Sequence, residues 1–207
     1  MQVEAVVFDI GNVLVGWHPE GFFDQVIGKE RRQKLFADVD LHAMNAIVDA
    51  GAPLKNTVLA CADQHPDWAA EIRLWHERWA DMLHPRIEGS ITLMRALRRA
   101  GVPVFALTNF GRDTFEVARG SLDFLNEFDR EYVSGRLGVM KPDPQIYALV
   151  EDDCGFAPGS LLFADDKAEN IAAAAARGWQ VHHFTTWEGW AEQLVAAGLL
   201  GKAEAGI

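Results

Sequence analysis

The residues best equipped for chemistry fall in four short clusters: Asp9 with Gly11 and Asn12, the pair Thr108-Asn109, Lys141 within GVMKPDPQIY, and the adjacent acids Asp165 and Asp166. A carboxylate such as Asp9, at the end of an apolar run and followed by glycine, sits where backbone N–H groups can approach an anionic ligand closely. An aspartate there can attack phosphorus and divide one hard displacement into two easier ones; taken alone it reads equally as a turn-capping residue. Thr108 and Asn109 offer a hydroxyl and an amide suited to phosphoryl oxygens, although both are also common turn formers. Pro142 biases Lys141 toward extended backbone, and Asp143-Pro144 reads as an N-cap with proline at the first helical position, so the lysine is held at the mouth of a helix. Its ammonium can neutralise an attacking carboxylate and a transferring group. Asp165 and Asp166 would repel each other at a strand end without a cation nearby. Mg2+ takes one or two carboxylates together with waters and phosphate, and would draw Asp9 into the same shell. Asn170 either orients these acids or is an exposed helical residue.

Elements must bring these clusters together. Apolar runs over residues 3–8, 102–107 and 161–164 predict buried strands, each followed by a polar cluster, and shorter strands are expected near 130–133 and 180–184. Helical patterns alternate with them, including one over 91–100 that stops at Gly101. The fold class expected is therefore α/β, with a parallel sheet, crossover helices and ligands beyond the carboxyl ends of the strands. Between about Trp17 and Pro85 the pattern is helical without clear strands. One long helix is expected over 67–83, with Trp68, Ile72, Trp75 and Trp79 at helical spacing, a stripe that suits either the core of an inserted unit or a pocket wall. The organisation expected is a core of 1–16 and 86–207 with an inserted all-helical cap over 17–85. Thr185 and Glu188 stand at capping-box spacing before a final helix over 187–200.

Composition narrows the function classes. The 207 residues, 49% hydrophobic and 24% charged, suit a globular chain with one core and an insertion. A formal net charge of -11 opposes nucleic-acid backbones and anionic membrane surfaces, so neither is expected as a partner, and a small anionic substrate needs a locally positive pocket. Cys61 and Cys154 stand far apart in no metal-ligand spacing, which fits a reduced, cytoplasmic compartment. The N-terminal run carries Glu4 and Asp9 and no basic region, unlike a signal peptide. Monomer and homodimer both remain open.

In chain order the segments FDIGNVLV, FALTNF, GVMKPDPQIY and FADDKAENIAAAAARGW resemble the four motifs of the haloacid dehalogenase-like superfamily, over residues 3 to about 184. The resemblance implies a Rossmann-like core with a helical cap inserted after the first motif. By position it makes Asp9 the nucleophile, Thr108, Asn109 and Asn12 phosphate binders with Lys141 as charge balance, and Asp165 and Asp166 metal residues alongside Asp9 and the backbone carbonyl of Gly11. Most phosphatases of the superfamily carry a second Asp where this chain has Gly11, and a missing general acid costs about two to four orders of magnitude in rate. The form D-x-G-N-V resembles bacterial phosphatases acting on glucose 1-phosphate, which makes a sugar phosphate the first expectation, hydrolysed with Mg2+. The related 2-haloacid dehalogenases resemble S-S-N in the fourth motif, where Asp165-Asp166 would repel a haloacid carboxylate. Substrate selection would come from cap residues 44–51, with Asn45 and Asp49 as polar candidates, and His18 is a candidate substitute for the missing proton donor. Two other classes stay open: a phosphate-site binding or regulatory protein with negligible turnover, and a structural interaction protein whose cap makes partner contacts.

Overall fold

A computed structural model describes residues 2–207. The chain opens with β1 (Ala5–Phe8), turns through residues 9–14 and enters a short β2 (Val15–Trp17). Five helices follow, α1 (Pro19–Ile27), α2 (Lys29–Asp38), α3 (Leu41–Asp49), α4 (Leu54–Gln64) and α5 (Ala69–Glu77), before β3 (Leu83–Arg86) returns antiparallel to β2. The second half alternates: α6 (Glu88–Arg99), β4 (Val104–Thr108), α7 (Arg112–Ser121), β5 (Arg130–Val133), α8 (Ser134–Leu137), α9 (Pro144–Cys154), β6 (Leu161–Asp165), α10 (Ala168–Ala176), β7 (Gln180–His183), α11 (Trp187–Ala196) and α12 (Lys202–Ala205).

Five strands form one parallel sheet in the order β5-β4-β1-β6-β7. Its strands are apolar on both faces, as a parallel sheet covered by helices requires. Val6, Phe8, Val104, Ala106 and Leu162 pack into one apolar cluster, while Val7, Phe105, Leu107 and Phe163 pack into the other. Register then decides what meets at the carboxyl edge. Phe8 pairs with Ala106 on one side and Ala164 on the other, so Asp9 and Asp165, each one residue on, emerge side by side. The strand order changes direction at β1, which is where ligands gather in such sheets.

Three expectations need correction. The helix expected over 67–83 is broken into a 3-10 turn (Pro66–Trp68), α5 and a second 3-10 turn (Trp79–Met82), because the chain leaves helical geometry at Arg78 and must redirect into β3. Its stripe is thereby divided: Ile72 and Trp75 are fully buried in the insertion, whereas Trp79 turns to stack beside Trp17 with ring centroids 5.5 Å apart. The insertion's ends are strands rather than helix, since β2 and β3 pair where the chain leaves and re-enters the core. The last long helix starts under Thr186, not Thr185: the Thr186 side chain accepts from the Gly189 N–H, and the helix stops at Ala196. No helix among the described residues is long and apolar enough to cross a membrane.

Candidate active site

Asp9, directly beyond β1, is buried to 7% exposure, and its Oδ1 accepts from its neighbour's N–H, Ile10, at 2.7 Å. Across the cleft floor, the Lys141 ammonium donates to Asp9 Oδ1 at 2.9 Å, to Asp165 Oδ2 at 2.6 Å and to the Leu107 carbonyl at 2.8 Å. An ammonium has three N–H groups, and here all three are engaged within the protein. The Lys141 backbone is fixed as firmly: Asn109 Oδ1 accepts from its N–H and Asn109 Nδ2 donates to its carbonyl, both at 2.8 Å. Asp143 caps α9 just downstream by accepting from the Gln145 N–H, as the Asp-Pro pair leads one to expect.

Asp165 is fully buried and surrounded by donors. Besides Lys141, the Lys167 N–H reaches Oδ1 at 2.8 Å and Asn170 Nδ2 lies 3.0 Å from both oxygens. The open alternative for Asn170 is thus resolved: it is buried to 2% and orients the acid, while its own Oδ1 is a buried acceptor with no partner. Asp166 is half-buried and turned toward the cleft, where Asn12 Nδ2 donates to its Oδ2 at 2.9 Å. Asn12 adopts a left-handed φ of 57°, a conformation asparagine tolerates better than most residues, and its Oδ1 accepts from Trp17 N–H at 3.0 Å. One asparagine therefore ties the first loop to both Asp166 and β2.

Carboxylate oxygens of Asp9, Asp165 and Asp166 lie within 4.8 Å of one another. Three acids around one lysine leave an excess of negative charge in a poorly solvated place. Burial pushes Asp9 up to about 6; Lys141 pulls against this, while Asp165 and Asp166 add to the rise. Burial also works against the Lys141 ammonium, but its two carboxylate partners outweigh it and hold the lysine above its ordinary value. The donor set suits a hard divalent cation. It is all oxygen and acidic, and among the described residues Asp9 Oδ2 and one Asp166 oxygen make no hydrogen bond. The unpaired Asn170 Oδ1 is the kind of acceptor that a cation's bound water would satisfy.

Above this floor opens a cleft of about 270 Å³, lined by Asp9, Gly11, Asn12, Thr108, Asn109, Lys141, Asp166 and Asn170 from the core and by Asn45 and Asp49 from α3. Almost every sequence candidate thus converges on one place. Thr108, buried to 1%, stands at the end of β4 as part of the strand and faces the cleft. His18 is the exception: it is exposed at the start of α1, its ring lies near His84, and it is not part of the cleft wall. The substitute proton donor expected there is not delivered to the site, because the β2–α1 turn points it outward. The side chains of Asn109 and Asn12, expected to bind phosphate, are instead occupied by Lys141 backbone and by Asp166 with Trp17.

Sequence reasoning missed several walls. Phe110 and Met140 adjoin the second and third clusters, so adjacency alone could have found them. His42 was missed although it stands on α3 three and seven residues before the expected Asn45 and Asp49, the spacing of one helical face. Trp17 and Leu83 carried no such sign, since only the β2–β3 pairing brings them over the cleft, whereas Trp79 belonged to the stripe read as a possible pocket wall.

A family model described as a haloacid dehalogenase-like hydrolase matches residues 3–178. The chain is 26% identical over 194 residues, 88% of its own length and 90% of the relative's, to sesquiterpene phosphatase astK of Aspergillus oryzae. In fold it is similar to an enzyme of the same family from Bacteroides thetaiotaomicron, solved in complex with magnesium and inorganic phosphate, with a TM-score of 0.70, 19% identity and coverage of 89% and 95%. It is also similar to L-2-haloacid dehalogenase from Xanthobacter autotrophicus, with a TM-score of 0.63, 19% identity and coverage of 99% and 87%.

Proposed function

The chain belongs to the haloacid dehalogenase-like hydrolases, and from that premise we propose that it is a Mg2+-dependent phosphomonoesterase acting on a small phosphorylated metabolite. The observation that supports this reading best is the charge at the cleft floor: three carboxylates crowd together with one lysine paired to two of them, and Asp9 and Asp166 keep an oxygen free toward the cleft. Asp9, Asp166 and the Gly11 carbonyl would hold the metal, and Asp165 would serve indirectly by fixing Lys141. Bound there, Mg2+ would neutralise phosphoryl oxygens and favour the ionised Asp9. The Bacteroides enzyme of similar fold, solved with magnesium and inorganic phosphate, is in keeping with that.

The chain's own residues set up the attack. Ile10 N–H and Lys141 both hold Asp9 Oδ1 and so fix the attacking carboxylate. The carboxylate forms a bond to phosphorus as the ester oxygen leaves, and water then breaks the aspartyl-phosphate to release inorganic phosphate. Lys141 keeps no N–H for the substrate and acts by holding Asp9 ionised and in place. Thr108, whose hydroxyl makes no hydrogen bond among the described residues, is the side chain of the second cluster left to meet a phosphoryl oxygen.

For the leaving alcohol, a sugar is the reading that the D-x-G-N-V form suggests. A terpenyl alcohol is the second, favoured by a specific feature: Trp17, Trp79, Leu83, Phe110 and Met140 make the cleft wall above the acids largely apolar, and astK is a sesquiterpene phosphatase. Dehalogenation fits poorly, since a haloacid carboxylate would face the acids Asp9 and Asp166 in the cleft wall. The test is phosphate release from a panel of sugar and terpenyl monophosphates with and without Mg2+, native protein against Asp9→Asn. Mg2+-dependent release, lowered roughly 10⁴-fold or more in the variant, is the expected outcome. Metabolite binding with no release above the variant would favour a binding protein instead.

A further inference from the structure

We propose that Asp49, at the end of α3, is the general acid and base of this hydrolysis, supplying from the insertion the proton donor that Gly11 cannot. The inference rests on the phosphatase reading above. At Gly11 a side chain would meet nothing within 4 Å, so the cleft has room there that no proton donor fills. The remaining titratable groups of the wall are otherwise committed. Asp9 attacks, Asp166 faces the metal, and the Lys141 N–H groups are all engaged. His42 is exposed and paired with Glu20 at 2.8 Å, and Lys167 is exposed. Asp49 is left, half-buried and on the cleft wall.

It is also aimed. The Trp75 indole, in the buried centre of the insertion, donates to Asn45 Oδ1 at 3.2 Å, and Asn45 Nδ2 donates to Asp49 Oδ2 at 2.8 Å. The Gly111 backbone N–H acts on the same carboxylate from the core side. The main chain is anchored too: Ser134 Oγ donates to the Asp49 carbonyl at 2.6 Å and accepts from the Phe110 N–H at 2.9 Å. This approach needs a small residue on the core side, for a Cβ at Gly111 would lie 2.6 Å from a Val48 methyl and 3.2 Å from the Val48 carbonyl. Burial lifts the Asp49 carboxyl to about 7, against the opposing pull of the Gly111 N–H, Lys167 and Asn45, so both protonation states are accessible near neutrality. An acid in one step and a base in the next need that.

In the first step the Asp9 carboxylate bonds to phosphorus, the bond to the ester oxygen breaks, and the Asp49 carboxyl gives that oxygen its proton. In the second, the Asp49 carboxylate takes a proton from water as the water oxygen bonds to phosphorus. The bond to Asp9 breaks, leaving phosphate, free Asp9 and a protonated Asp49. A nitrophenolate leaves without a proton and an alkoxide does not, which separates the acid from a mere latch between insertion and core. The experiment compares native protein and Asp49→Asn, with Mg2+, on p-nitrophenyl phosphate and on an alkyl phosphate the native protein hydrolyses. Single-turnover release of the alcohol reads the first step.

Expected for Asp49→Asn is a loss of about 10²–10³-fold in that step for the alkyl ester and of less than about tenfold for the aryl ester. Multiple turnovers of the aryl ester then show a burst of one equivalent before slow turnover. Equal losses for both esters without a burst, or no loss for either, would overturn the proposal; Asp49→Ala is the second variant if Asn perturbs folding. Should the native protein hydrolyse neither the aryl ester nor any alkyl phosphate, the phosphatase reading itself has failed, which no result on Asp49→Asn alone can mimic.

Discussion

Two walls face each other across the cleft and are held in opposite ways. On the core side, Asp9 and Asp165 are set by strand register, Lys141 is clamped by Asn109, and the three are bound into one another by short charged contacts with almost no exposure. On the side of α3, Asn45 and Asp49 are half-buried and reach their positions through a relay of neutral hydrogen bonds that begins at Trp75. A charge network built on a sheet fails as a whole when one member is removed. A relay on a helix loses one link at a time. The difference suits a division of labour in which the core supplies chemistry common to many substrates and the insertion supplies what is particular to one.

The sharpest way to break the comparison is Lys141→Met. Removing the lysine leaves Asp9 and Asp165 buried without a cationic partner, and breaking such a pair costs about 3–5 kcal/mol in stability. Urea unfolding at pH 8 should show that loss, with phosphate release down by about 10²–10³-fold from the lost electrostatic support. At pH 5 the deficit should shrink, because Asp9, already lifted to about 6 in the native protein, can then take up a proton. An unchanged unfolding midpoint at pH 8 would show that the core side is not the interdependent network its contacts suggest.

A milder change tests whether Asp166 faces the metal with its free oxygen. Asn12→Gly keeps the left-handed backbone without strain and deletes the amide that orients Asp166. Loss of such an outer support weakens metal binding by about 10–100-fold. A calorimetric Mg2+ titration that gives the native affinity would mean that Asp166 is not placed by Asn12 or does not meet the metal.

How much of this was legible in the sequence follows the same division. Lys141 could be read from the Pro142 and Asp143-Pro144 that hold it at the mouth of α9, and Asp9, Thr108 and Asp165 because each ends an apolar strand and a parallel sheet gathers strand ends at one edge. The strands themselves were readable for the same reason, with ends shifted by a residue or two. What could not be read was how side chains share partners: that Asn109 would clamp Lys141 and Asn12 would hold Asp166 depends on rotamers no periodicity encodes. On the insertion, the break at Arg78 hid the turn that swings Trp79 over the cleft, and His18 looked central only because it follows the first cluster in sequence. Asp49 was legible as a cleft-facing residue, but its burial, which gives it a different role, comes from tertiary packing.

The smallest effect, and the one most specific to the wall on α3, is a pH-dependent gap in stability between Asp49→Asn and the native protein. Asp49 has an ordinary value of 3.8 when unfolded and about 7 when folded. Below 3.8 both states carry the proton and nothing depends on it. Between the two values the folded chain holds a proton that the unfolded chain has lost, so stability contributed at low pH drains away as pH rises, and above 7 the loss is complete. Asparagine does not titrate, so any hydrogen bond it weakens shifts the comparison by a constant, and the remaining acids contribute equally to both proteins. With solvent screening of a half-buried group taken into account, the gap amounts to about 1 kcal/mol. The melting temperature of Asp49→Asn should therefore gain on that of the native protein by about 2–4 °C between pH 5 and pH 8, without metal. A gap independent of pH would mean that Asp49 ionises as it does in water, and the wall on α3 would then be solvated rather than drawn against the core.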